Sequence, residues 1–362
     1  MKRARFHSPE NEEFYRVLRK EVNGYFKKEG IKKTGNFSLY FKTVFLFALL
    51  LVPFSTFFII PNMSAIAFVV MWSLMGFAMA GIGLSVMHDS VHGVYSSNRS
   101  INDFVSHFSM FTVGGFVSNW RIQHNQLHHT YTNVKDLDED INPPFGLLRL
   151  SPEYPLQNKH RFQHIYAWFL YTLMTVMWTT TKDIRQIVRF RKAGFYDNKD
   201  REYRNEWIRL ILFKVGYFFI FVGLPFLFSP YSFGLMLLGI LLMNMISGFV
   251  LAIVFQPAHV TPKSEFPLVE SDSIIRNSWA GHQMITTQNF ANSSRLFTWY
   301  VGGLNYQIEH HLFPNVSHVH YPAIAPMVKR IAKDYNLPYN HCDTFGAALV
   351  EHGKMLYQLG HK

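Results

Sequence analysis

Hydrophobic positions along this chain fall in long uninterrupted blocks, without the alternating stripe of a soluble amphipathic fold. No Asp, Glu, Lys or Arg occurs from Thr43 to Met87, nor from Val215 to Val260. Each block is roughly twice the ~20 apolar residues that cross a bilayer, and Pro61 and Pro230 interrupt them. The pattern predicts two helical hairpins, with spans at about 43–60 and 64–86 and at about 208–228 and 231–255. Two weaker stretches compete. Residues 100–118 contain Asp103 and His107. Residues 165–181 are uncharged, but a fifth span there would throw the flanking segments onto opposite faces. Both are expected to be interfacial or partly buried helices.

Charge orients the hairpins. Only 16% of the 362 residues are charged, against about 25% in soluble domains, which excludes an ordinary soluble domain and a disordered chain. The net charge of +11 does not point to nucleic acid, because the basic residues flank the apolar blocks. Lys2, Arg3, Arg16, Lys27 and Lys42 lead into the first hairpin, and Lys182, Arg185, Arg189, Arg201 and Arg204 into the second. The positive-inside rule then places both termini and the central segment in the cytosol, with Arg209 and Lys214 expected to snorkel toward that interface. The predicted fold is an all-α integral membrane protein, four transmembrane helices capped by a cytosolic helical domain. It divides into a segment 1–42, a main domain 43–335 and a tail 336–362. Cys342 is the only cysteine, so no intramolecular disulfide or thiolate site is expected. MKRARFHSPENEEF lacks the apolar core of a signal peptide.

Histidine is the unusual residue, with 18 copies. Four clusters meet on the cytosolic face: His88 and His92 in HDSVH, His124, His128 and His129 in HNQLHH, His259 in FQPAH, and His310 and His311 in QIEHH. Residues four apart on a helix share a face, so His88/His92 and His124/His128 can each direct two imidazoles into one site. Adjacent histidines diverge by about 100° and suit two neighbouring ions better than one. Eight imidazoles exceed the three or four ligands of a zinc site and suit iron, zinc, copper or nickel. The spacing therefore predicts a dinuclear metal site without naming the metal. The remaining histidines, among them His7, His160, His318 and His352, are read as surface or hydrogen-bonded residues.

HDSVH, HNQLHH and QIEHH, in that order around two membrane hairpins, resemble the three histidine boxes of membrane fatty acid desaturases over residues of about 40 to 335. The resemblance implies two non-haem irons, O2 as co-substrate, and a cis double bond introduced into an acyl chain on CoA or a lipid. It implies that His88, His92, His124, His128, His129, His310 and His311 are ligands and that His259 is an additional one. Gln307, where many relatives have histidine, and the contexts WRIQHNQLHHTYTN and NYQIEHHLFP resemble the front-end, linoleoyl-CoA (delta-6-type) group. Gln307 and His282 are lesser ligand candidates. Phe255 stands where relatives can have asparagine. No HPGG haem motif occurs, so electrons are expected from a separate cytochrome b5 or ferredoxin. The short chain fits a bacterial cytoplasmic membrane.

An unactivated methylene offers no acidic proton, so a metal cofactor must supply the oxidising power while the protein positions the chain. Carboxylates at Asp89, Asp136, Asp138, Glu139 and Asp140, and Glu309, are candidates to orient imidazoles. Asn244 should face the helix bundle. Trp120 and Arg121 are candidates for substrate contact or interfacial anchoring, and Arg185, Arg189, Arg191 and Lys192 for an acidic donor or a CoA phosphate. A related hydroxylase or sphingolipid desaturase shares these boxes. A metal-binding scaffold or transporter is the alternative of a different class.

Overall fold

The computed structural model describes residues 4–7 and 12–362; Lys2 and Arg3, counted above in the basic flank, lie outside them. Among the described residues, four helices are long and apolar enough to cross a membrane. In chain order the helices begin with α1 (Glu12–Glu29), α2 (Phe37–Ile59), α3 (Ala65–Val91), α4 (Arg99–Val113) and α5 (117–131). α6 (163–192, interrupted at Leu173), α7 (Asp200–Phe228) and α8 (Phe233–His259) follow. α9 (Trp279–Thr286), α10 (Arg295–Tyr300), α11 (Gln307–Leu312), α12 (Tyr321–Asp334) and α13 (Phe345–His361) complete the head. Two parallel pairs of two-residue strands tie loops together: Arg5–Phe6 with Ile274–Ile275, and Asn289–Phe290 with His341–Cys342.

The spans α2, α3, α7 and α8 form the two expected hairpins, but their head-side ends are displaced from the expected ones. α2 starts six residues early, at Phe37, because Asn36 caps it by accepting from the Ser38 N–H at 3.0 Å. Lys42 is thereby drawn inside the helix, where its Nζ lies 2.8 Å from His318 Nε2. α3 continues to Val91, so His88 belongs to its last turn. α7 begins at Asp200, and α8 extends to His259.

Small residues let these helices approach, as apolar solvent on the lipid side demands. A Cβ on Gly76 would come within 2.8 Å of the Met243 carbonyl of α8, and one on Gly248 within 2.7 Å of the Thr172 carbonyl of α6. α6 therefore lies against α8 with Ala167, Tyr171, Thr175 and Trp178 buried along one face. Thr175 Oγ1 donates to the Asn244 carbonyl at 2.5 Å, and Asn244 Nδ2 donates to Ile240 of its own helix at 2.9 Å. The Asn244 amide donor thus turns back onto its own helix.

Lys214 does not snorkel. It turns inward, donating to Asp183 Oδ2 at 2.6 Å and to the Gly114 and Trp178 carbonyls, each at 2.7 Å. The bundle offers three acceptors that replace water for the ammonium, so it need not reach the interface. Arg209, its companion in that expectation, is bonded to Glu206 at 2.8 Å.

Candidate metal centre

Two π-helical segments bear on the histidines. One occupies 82–87, immediately before His88, and the other 121–128, across HNQLH. Such turns interrupt α-helical phase and recur at functional sites because they re-aim side chains. Their effect here is specific. His124 and His128 stack, with ring centroids 5.3 Å apart, and together with Asp140 they offer one set of possible ligand atoms. His88, His92, His124 and His310 converge in one group, and His128, His259 and His311 in a second. The pair thus shares one set, as its spacing predicts, and each member also enters a different histidine group. His129 bridges the groups, lying with His310 and His311 in a third set of possible ligand atoms. Within each set the candidate atoms lie inside 4.8 Å of one another.

The imidazoles are buried, and what surrounds them fixes which nitrogen is free. His310 Nδ1 meets the Tyr321 hydroxyl at 3.1 Å, His311 Nδ1 meets Gln283 Oε1 at 2.8 Å, and His259 Nδ1 meets the Thr286 carbonyl at 3.3 Å. His128 Nδ1 lies 3.1 Å from both oxygens of Asp138. An acceptor on Nδ1 fixes the tautomer that leaves Nε2 as a lone-pair donor. The Nε2 atoms of His92, His310 and His311 are buried without any hydrogen-bond partner, and His88 Nε2 lies 3.0 Å from His124 Nε2. Buried polar atoms are seldom left so. Lone pairs converging in a closed space fit metal ions.

Protonation agrees. Burial, reinforced by repulsion among neighbouring imidazoles, holds His124, His129, His310 and His311 well below the usual histidine range, and burial takes His92 down to about 4. They are neutral at pH 7, as ligation requires. His128 differs: burial opposes its charge, but Asp138 and Asp140 outweigh it and raise the group to about 9. Bound to a cation instead, the ring would keep its Nδ1–H on Asp138.

The other candidates separate cleanly. Asp138 is the carboxylate of the acidic run that orients a histidine, and it also accepts from the Asn133 and Asp140 N–H groups at 2.8 and 2.9 Å. Asp140 reaches His128 at 3.4 Å. Asp136 does neither. Its φ of 63° turns it outward, and its N–H bonds the Tyr154 hydroxyl at 3.2 Å. Asp89 accepts from Ser317 at 2.5 Å and lies 3.0 Å from His318 Nδ1, so it acts through His318 and not on a box imidazole. Glu309 receives Asn289 and Tyr339, each at 2.8 Å. His282 lies outside every convergent set, its ring edge-on to Phe6 at 5.2 Å. Gln307 is buried beside His259 with its amide nitrogen unpartnered. Trp120 is buried and stacks on His124 at 4.8 Å, while Arg121 pairs with Asp103 at 2.7 Å. Gln283, Tyr321 and the Thr286 carbonyl had no signal in the sequence beyond Gln283 following His282.

Asp138→Ala is expected to lower metal affinity and turnover about 10–100-fold, whereas Asp136→Ala should stay within about twofold. Metal content by mass spectrometry and product formation check both; equal effects would remove Asp138 from its orienting role.

A cavity of about 520 Å³ opens beside the second histidine group. Its lining joins His128, His259, Asp138 and Trp120 to the apolar side chains Leu148, Leu170, Met174, Ala252 and Phe255, and to Lys182, Arg185 and Arg189. Its volume lies in the range of sites that bury most of a small ligand.

Comparison with known proteins agrees with this geometry. The fatty acid desaturase profile matches residues 64–343. The chain is 32% identical to the sn-1 linoleoyl-lipid 6-desaturase of Synechocystis sp., covering 96% of this chain and 95% of that protein. It is 31% identical to the protein of the same description from Arthrospira platensis, covering 93% and 90%. It is 33% identical to the acyl-lipid (8-3)-desaturase of Physcomitrium patens, covering 97% and 72%. The chain belongs to the fatty acid desaturase family, and it is a membrane oxidoreductase that introduces double bonds into acyl chains.

Proposed function

We propose that this enzyme inserts a cis double bond between an existing double bond and the carboxyl end of a lipid-borne acyl chain, at a centre of two iron ions. The observation that carries the reading is the junction of two convergent imidazole groups with an apolar-walled cavity. Iron held by His88, His92, His124, His310, His128, His259, His311 and His129 would supply the power to activate O2 and oxidise a methylene. Gln307 lines the second group. The protein's own part is to keep the imidazoles other than His128 neutral, fix their tautomers through Asp138, Gln283, Tyr321 and Thr286, and hold the chain in a wall that excludes water.

All these ligands fall within residues 43–335, which we assign as the catalytic domain between the segments 1–42 and 336–362. The basic flanks place the head in the cytosol, in a bacterial cytoplasmic membrane, with a separate cytochrome b5 or ferredoxin as electron donor. Relatives named as 6-desaturases of linoleoyl lipids support the front-end assignment.

The test is to express the protein with an electron donor, supply linoleate, and locate new double bonds by mass spectrometry. A new bond on the carboxyl side is expected. A hydroxylated product, a bond on the methyl side, or an unchanged lipid profile would overturn the reading. Ala252→Phe, which fills the apolar wall, should lower kcat/KM for the linoleoyl chain about tenfold or more through overpacking, without loss of bound metal.

A further inference from the structure

The lining of the same cavity carries a charge pattern that acyl-chain binding alone does not use. Lys182, Arg185 and Arg189 follow one another at three- and four-residue spacing and share one face of α6. All three line the cavity, with Arg185 exposed and Lys182 partly so. Arg189 is already neutralised: its Nη2 lies 2.5 Å from Glu139 Oε1, and Gln186 donates to the other Glu139 oxygen at 2.7 Å. The second carboxylate nearby, Asp140, is engaged by Gln123 at 2.5 Å and by His128 at 3.4 Å.

Lys182 and Arg185 have no hydrogen bond or ion pair among the described residues. Aromatic faces hold them instead. Lys182 Nζ sits 4.7 Å from the Trp178 ring centroid, and the Arg185 guanidinium 4.3 Å from that of Phe145. Packing against a ring positions a cation without using up its N–H donors. Asp140, Asp183 and Glu139 attract Lys182 through space, but the N–H donors of both cations stay open, and two such cations beside an apolar wall match an amphiphile whose polar end is anionic. A fork and a point charge together suit phosphate oxygens.

We propose that Lys182 and Arg185 form a phosphate seat at the cavity, so that the enzyme selects acyl chains on phosphate-bearing carriers over chains on uncharged glycolipids. This rests on the acyl chain occupying the cavity, as proposed above. It also deepens the front-end assignment. Lys182 and Arg185 line the same cavity as His128 and His259, so a carrier anchored there holds the carboxyl-proximal carbons, not the methyl end, near the imidazoles.

Binding tests the seat independently of turnover. The detergent-purified full chain would be offered dilinoleoyl phosphatidylglycerol against dilinoleoyl monogalactosyl diacylglycerol in competition, with linoleoyl-CoA in a parallel arm, and bound species read by native mass spectrometry. The wild type is expected to prefer a phosphate-bearing ligand about tenfold or more; the arm that shows it identifies phospholipid or CoA as the source. K182M/R185Q should reduce that preference about tenfold, R185K should restore part of it to R185Q, and the exposed, cavity-remote R201Q should leave it unchanged. A wild type without preference, an unaltered ratio in K182M/R185Q, or an equal drop in R201Q overturns the proposal. So does a double variant whose ligand ratio holds while its KM for the reduced electron donor rises, since the cations would then dock the donor. Absence of any new double bond with every carrier would count against desaturation itself, while the binding ratio would still decide the seat.

Discussion

Replacing His310 by alanine is expected to abolish desaturation and to cost the chain at least one of the two irons proposed above. His310 is one of the imidazoles that join two convergent sets. It belongs to the set with His88, His92 and His124 and also to the set with His129 and His311, and its ring lies 4.5 Å from those of both His88 and His129. Its Nδ1 is held by the Tyr321 hydroxyl, which leaves Nε2 facing the centre without another partner. No neighbouring side chain can substitute, because the adjacent histidine is committed to Gln283 and the second group. Metal analysis and lipid profiling of the same preparation check the result. Retention of two irons and measurable product would show that His310 is not a ligand. His282→Gln is the matched control. That residue is equally buried and was a candidate from sequence, but it lies outside each convergent set, so its variant should keep its iron.

The two hairpins were legible because membrane insertion is written as absence of charge over long stretches, a signal that tolerates large errors in detail. The box histidines were legible for a related reason: hairpin parity alone brings distant clusters to one face. What escaped depended on local backbone geometry. His124 and His128 share a set with Asp140 as their spacing predicts, but α-helical spacing does not anticipate that each, on a π turn over 121–128, also enters a different histidine group. The acidic run offered Asp136, Asp138 and Asp140 as equals. Left-handed residues at Asn133 and Asp136 fold that loop so that Asp138 points in and Asp136 out. His318 looked like an isolated histidine, yet it joins Lys42 to Asp89, residues 276 and 229 positions away in sequence. Pairings of such separation have no sequence period to betray them. Trp120 is a similar case. Its proximity to the second box was visible, but its stacking on His124 and its contact with Trp178 at 5.2 Å required the packing of α5 against α6.

Lys214→Met separates the two descriptions of the third span most sharply. A snorkelling lysine contributes little, and its loss would scarcely register. The observed ammonium instead satisfies the Asp183 carboxylate and two backbone carbonyls, Gly114 and Trp178, that lie at the junction of α4, α5, α6 and α7. The Asp183 side chain is fully buried, and Asn119 donates to its carbonyl at 2.9 Å. Removing one partner of a buried ion pair costs about 3–5 kcal/mol because the other charge is left without compensation. The double variant Lys214→Met/Asp183→Leu removes that charge and should recover part of the loss. It should not recover all of it, since the two carbonyls remain unpaired at about 1–3 kcal/mol each. Function follows stability here through Trp178, whose carbonyl binds Lys214 and whose ring leans on Trp120 and so on the His124 imidazole. Thermal unfolding of the detergent-solubilised proteins, run at one scan rate because such unfolding is irreversible, should therefore rank wild type, double variant and Lys214→Met in that order. A Lys214→Met protein as stable as wild type would return this lysine to the membrane interface and remove the junction as a support of the metal centre.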